Sequence, residues 1–181
     1  MDLKSIPREL NTRDLHLRPS RLSDAEGLFA MLSDAESMKY WSGPPVADVS
    51  DALQVLREDL ESDAQGKSLC WSVILNGQDQ IIGKCILFQF SLANHRAEIG
   101  FILNREYWRQ GLMHQALEAV IGFAFKSLEL HRIEADVDPL NAGSLGVLEK
   151  LGFEREGLFH DRWLLNNEWA DSVMLALLNP N

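Results

Sequence analysis

The chain of 181 residues predicts a mixed α/β (α+β) fold, with a mainly antiparallel central sheet flanked by helices. Three observations carry this. Strand-like runs at 69–75, 80–90 and 95–104 follow one another through short connections, which favours antiparallel neighbours. The longest apolar-periodic stretch, "NREYWRQGLMHQALEAVIGFAF", then repeats at the helical spacing of 3.6. A further strand pattern at 131–138 makes a strand–helix–strand unit, expected as a right-handed crossover. Length, 46% apolar content and 24% charged content fit one domain over residues 1–181 with a sizeable core.

In chain order, "LHLRP" at 15–19 alternates and reads as the first strand. Ser23 and Glu26 have the spacing of a capping box for a helix whose apolar face includes Leu28, Met31 and Leu32. Residues 42–50, "SGPPVADVS", read as loop, and a second helix covers 51–65. In the strand run, Asn76-Gly77 marks a turn. In 95–104, Ile99, Phe101 and Leu103 share one face, and Glu98, Gly100 and Ile102 the other. The long helix starts near Arg109 or Gln110. Leu112, Ala116, Leu117, Val120, Ile121, Ala124 and Leu128 form its apolar stripe. The helix after strand 131–138 ends at Gly152, a C-cap residue. Two final strands turn at Asn166-Asn167.

The net charge of −10 disfavours a general nucleic-acid binder, which needs a basic face. It either favours cationic partners through long-range attraction or only provides solubility. No apolar run is long enough to span a membrane, and the first ten residues lack a secretory h-region. Cys70 and Cys85 match no metal spacing and read as reduced core thiols. The histidines show no metal pattern either, and no Gly-x-Ser-x-Gly elbow is present. A cytoplasmic protein with no metal, nucleic-acid or membrane partner is expected.

Gly111 stands at a helix entrance, where a glycine costs about 1 kcal/mol if helical. Helix N-termini present free N–H groups and partial positive charge. A glycine there lets an anion approach the backbone, and Arg105 and Arg109 add charge. Alone, a glycine at a helix start is more often a packing or turn residue. Neither a Walker loop nor a three-glycine dinucleotide fingerprint is present.

Taken together, "EIGFILNREYWRQGLMHQAL", "DPLNAGSLGVLEKLGF" and "NNEWADSVMLAL" resemble the GNAT superfamily of acetyl-CoA-dependent N-acetyltransferases. Within it they resemble the RimJ/RimL-type ribosomal-protein group, as do "LHLRPSRLSDAEGLFAMLSD" and "MKYWSGPP". The resemblance covers nearly the whole chain. It implies splayed strands at the cofactor site and acetyl-CoA as donor. The family's pyrophosphate loop falls on residues 108–113 and keeps only Gly111; Trp108 and Met113 replace other residue types. By resemblance, the coenzyme is held by Phe101, Ile102, Leu103, Arg109, Gln110, Gly111, Leu112, Met113, His114 and Asn141, mainly through backbone N–H groups. Bulk at Gly111 should therefore weaken coenzyme binding with little loss of stability.

Acetyl transfer to an amine needs a neutral amine and a proton for the leaving thiolate. Glu98 is the first candidate base, with Glu106, or water alone, as alternatives; a solvated or ion-paired strand glutamate is the other reading of Glu98. The family often uses a tyrosine as acid, at the position of Leu148 here. Leucine cannot donate, and the RimJ/RimL-type group implies Ser144, one turn earlier. Tyr40 and Trp41 fall where the family's acceptor pocket forms; Trp163 and Trp169 either wall it or pack in the core. The expected acceptor is a protein N-terminal α-amine or a small cationic amine. A coenzyme-binding module without turnover and another acyl donor are further readings. A homodimer is a family expectation only.

Overall fold

The computed structural model describes residues 6–41, 43–165 and 167–180. One eight-stranded sheet runs through it, in the order β1-β2-β3-β4-β5-β6-β8-β7. The strands are β1 (Leu10–Asn11), β2 (Leu15–Pro19), β3 (Ser68–Leu75), β4 (Ile81–Ser91), β5 (Arg96–Leu103), β6 (Arg132–Val137), β7 (Glu154–Leu165) and β8 (Glu168–Leu178). The helices are α1 (Ala25–Leu32), α2 (Ala35–Met38), α3 (Val49–Ala64), α4 (Leu112–Lys126) and α5 (Ala142–Lys150). Every strand pair is antiparallel except β5 with β6, which α4 connects. The expected mixed, mainly antiparallel sheet is therefore observed.

Two apolar layers cover the sheet, because its strands alternate inward on both faces. Leu17, Trp71, Leu87 and Ile99 pack with Leu117, Val120 and Ala124 of α4. Ile74, Ile81 and Ile102 pack with Leu28, Met31 and Leu56 of α1 and α3. The two faces expected for β5 thus face different helices. Trp71 meets Phe123 edge-on at 5.4 Å, and its indole N–H donates to Arg8 O at 2.8 Å.

Several boundaries differ from the sequence reading. Ser23 lies inside a 3₁₀ turn (Leu22–Asp24), and α1 begins at Ala25. Asp24 supplies the reciprocal contact instead, accepting from the Arg21 N–H at 2.8 Å while pairing with Arg18. Helix α3 begins at Val49, because Asp48 caps the N–H groups of Ser50 and Asp51. Helix α4 begins at Leu112, not at Arg109 or Gln110. Arg109 and Gly111 have φ of 61° and 75°, values that no helix residue takes.

Other signals are met. Gly77 has φ 81°, and the Gln78 N–H closes the turn on Leu75 O at 3.0 Å. Gly152, at φ 91°, closes α5 with bonds from Gly152 N–H to Glu149 O and from Phe153 N–H to Leu148 O. This is a Schellman pair. Leu165 faces Glu168 across the last turn; Asn166 lies outside the described residues.

Candidate active site

The parallel pair β5–β6 is short. Only Arg96, Ala97 and Glu98 pair, with Arg132, Ile133 and Glu134. Beyond Glu98 the strands part, while β5 stays paired to β4 as far as Leu103. Between them opens a cleft of about 290 Å³. Tyr40, Trp41, Glu98, Phe101, Asn141 and Ser144 all line it. These residues come from the loop after α2, from β5 and from the start of α5.

Glu98 sits where the strands part. Its neighbour Glu134 is already paired with Arg96 and Arg132. Among the described residues, the Glu98 carboxylate has no ion pair or hydrogen bond, so it is not an ion-paired strand glutamate. Burial pushes its carboxyl up to about 7, with Asp136 and Glu134 adding repulsion and Arg162 and Arg96 opposing it. Asn141 Oδ1 accepts the Ser144 N–H at 3.0 Å and so caps α5. That cap holds Ser144 on the first turn, beside the cleft. Leu148, one turn later, is fully buried in the core.

A second groove, of about 550 Å³, lies at the start of α4 and is lined by Gln110, Gly111, His114 and Gln115, among others. Gly111 brings no capping side chain, and a Cβ built on it meets nothing within 4 Å. The first N–H groups of α4 have no carbonyl of their own helix to bond. His114 Nδ1 is buried without a hydrogen-bond partner. Free donors, open space and an orphaned ring nitrogen fit a phosphate-bearing group.

The remaining predicted residues separate. Ile102 and Leu103 are 5% and 8% exposed and belong to opposite cores. Leu112 and Met113 are buried too, Met113 Sδ lying 3.8 Å from Cys85 Sγ. Their side chains belong to the core, leaving their backbone to a ligand. Arg109 is exposed and lines neither groove. Glu106 is exposed in a 3₁₀ turn (Arg105–Tyr107), outside the cleft. Trp163 lines the cleft, whereas Trp169 is 63% exposed and does not. Among the described residues, no cluster of three His, Cys, Asp or Glu side chains could hold a metal, and no helix is long and apolar enough to cross a membrane.

Sequence reasoning missed the cleft's other carboxylates: Asp136, Asp138 and Asp171 line it beside Glu98, with no Lys, Arg or His among the lining residues. Glu134, Asp136 and Asp138 recur at period two in "HRIEADVD", one acidic face of one strand. That pattern was the available signal.

Residues 14–154 match the family described as acetyltransferase (GNAT) domain. An uncharacterized N-acetyltransferase p20 from Bacillus licheniformis is 36% identical, across 93% of this chain and 95% of its own. The [ribosomal protein uS5]-alanine N-acetyltransferase of Escherichia coli is 36% identical over a shorter part, 48% of this chain and 45% of its own. The solved structure of Mycobacterium smegmatis RimJ in complex with CoA-disulfide superposes with a TM-score of 0.86, at 25% identity, covering 97% of this chain and 90% of that one. Splayed strands, a bare α4 N-terminus and this likeness over most of its length converge: the chain belongs to the GNAT acetyltransferase family, and so to the acetyl-CoA-dependent acyltransferases.

Proposed function

We propose that the chain moves the acetyl group of acetyl-CoA to a primary amine by direct attack in a ternary complex, with a protein N-terminal α-amine as the favoured acceptor. One observation carries this reading: Glu98 and Ser144 face a single cleft opened by the parting of β5 and β6. Glu98 takes the proton from the incoming ammonium. With its carboxyl at about 7 it is a base matched to neutral pH. An α-amine, with a reference pKa near 8, costs about 1.4 kcal/mol to neutralise at pH 7, and a lysine about 4–5 kcal/mol. A base at about 7 suits the former better. The amine nitrogen then bonds to the acetyl carbonyl carbon and the carbon–sulfur bond breaks. The Ser144 hydroxyl gives its proton to the leaving thiolate and takes back the second proton that the new amide nitrogen sheds.

The coenzyme's pyrophosphate would lie on the N–H groups of Gly111, Leu112, Met113 and His114, with Gln110 beside it. Its pantetheine arm would follow β5 at Phe101 and reach the Asn141 amide. No covalent acetyl-enzyme is needed. Cys70 and Cys85 are buried and do not line the cleft, and burial pushes both thiols up to about 12. The name of the uS5-alanine relative supports an N-terminal acceptor. The carboxylate-lined cleft supports a small cationic amine as the second reading.

Thiol release from acetyl-CoA over a panel of N-terminal peptides and amines tests the proposal. Glu98→Gln should lower kcat/KM by about 10²–10⁴ and remove its acid limb, and Ser144→Ala should lower kcat. Coenzyme binding with no release for any acceptor would instead make the chain a binding module.

A further inference from the structure

Arg162 does not line the cleft but pairs with one of its carboxylates, Asp136, and it is held in an unusual way. Strand β7 carries two extra residues between Phe159 and Trp163, which face Ser172 and Ala170 on β8. Asp171 pins this bulge: it accepts the Asp161 N–H and His160 Nδ1, both at 3.0 Å. Asp161 takes φ 51°. A bulge re-aims the side chains around it. Here the Arg162 guanidinium lies 5.3 Å from the Phe159 ring centre and 5.7 Å from that of Trp163. Arg162 Nε is 3.7 Å from Asp136 Oδ2, an ion pair too long for a hydrogen bond.

The two partners are held very differently. Asp136 is only 10% exposed at its side chain, and it accepts from the Ser172 hydroxyl and from the Trp163 indole N–H. The anion is fixed. Arg162 is 47% exposed and makes no hydrogen bond among the described residues. The cation is loose, and the aromatic rings under it form a surface that any cation can use.

We infer that Arg162 is a resident counter-cation of the cleft that selects acceptors: one carrying a second positive charge displaces it from Asp136, and a singly charged one leaves it in place. The inference rests on the acetyl-transfer reading and narrows its acceptors. Diamines and peptides with a basic residue beside the reacting amine would thus be distinguished from simple monoamines. Arg162 is a positioning residue, acting through Asp136 and through the charge it places near Glu98. The charged groups bearing on Glu98 are Asp136 and Glu134 on β6, Arg96 on β5 itself and Arg162 on β7; Tyr40 lines the same cleft. Arg162 opposes the upward push on the Glu98 carboxyl. Its removal must therefore raise that carboxyl further and move the acid limb of the rate profile to higher pH.

The experiment compares wild type, Arg162→Gln and Arg162→Lys, using 1,5-diaminopentane and 1-aminopentane as probes. Carbon-13 NMR of the Glu98 carboxyl should show its midpoint about half a pH unit higher in Arg162→Gln and near wild type in Arg162→Lys. In the wild type, the diamine should shift the Arg162 NεH resonance and the monoamine should not. The ratio of kcat/KM for diamine over monoamine should rise about twofold to fivefold in Arg162→Gln. A Glu98 midpoint unmoved in a folded Arg162→Gln, or an Arg162 resonance indifferent to the diamine, overturns the inference. Both readings are independent of turnover. Absent thiol release would sink the acetyl-transfer proposal while leaving these two results to decide on Arg162.

Discussion

At φ 75°, Gly111 sits where an L side chain costs about 1–2 kcal/mol, yet a Cβ added there meets no atom within 4 Å. The demand on this residue is therefore conformational locally and spatial only toward a ligand. A valine would fail for both reasons, contrary to the expectation that bulk alone would matter. Asparagine tolerates the left-handed region, so it separates the two. Gly111→Asn should keep the melting temperature within about 2 °C and still weaken acetyl-CoA binding about tenfold or more by calorimetry. Unchanged affinity would make Gly111 only a turn residue. The sequence pointed to this glycine through its place before an apolar-periodic helix. It carried no sign of the second positive φ, at Arg109, which delays the helix to Leu112. Positive φ at a non-glycine depends on what the surrounding chain compels, which no residue identity reveals.

Among the elements, those with a strong period were legible: β3 to β5, α4 and the Gly152 end of α5 all follow from local spacing. The two features that make the cleft have no such period: the splayed strands were expected only from the family resemblance, and the β7 bulge was not expected. The parting of β5 from β6 depends on a register between strands separated by the whole of α4. The bulge in β7 depends on Asp171, ten residues from Asp161, pinning backbone in the facing strand. Neither has a local pattern to read. The same limit applies to Gly27, which looks like a weak point in α1. A Cβ there would lie 2.5 Å from Ile81 Cγ1 and 3.0 Å from Ile81 O, so the glycine lets α1 lie against β4. Gly27→Ala gains helix propensity of about 1 kcal/mol but must push α1 off the sheet, and backbone cannot yield as a side-chain tip can. A net loss of about 1–3 kcal/mol is expected by urea unfolding. A stabilised variant would mean that α1 packs less closely than these distances require.

For the whole molecule, the cleft sets activity against stability. The Arg18–Asp24 ion pair is buried at both side chains and shows one pH response. Burial pushes the Asp24 carboxyl up, but hydrogen bonds from Arg18, Ser72 and the Arg21 N–H outweigh that and hold it low. Its stabilisation is present above the ordinary carboxylate range and is lost only as pH falls through its lowered value. Glu98 is the opposite case. Its carboxyl is raised from 4.5 to about 7, so the folded state prefers it protonated. Its contribution is fully present below about 4.5 and is lost as pH rises to about 7, because the unfolded chain ionises there and the folded one resists. Glutamine in its place has no charge to resist. Glu98→Gln should therefore match wild type near pH 4.5 and become more stable as pH rises, by about 3 kcal/mol at pH 8, or roughly 5 °C or more in Tm. Thermal melts of both proteins from pH 4.5 to 8 check this, and the acid-side losses from Asp24 cancel in the difference. A gap that opens over that window while thiol release falls would make Glu98 a group kept at the expense of the fold. A constant difference would mean that Glu98 titrates as an ordinary carboxylate, and the base would then have to be sought in water or another cleft carboxylate.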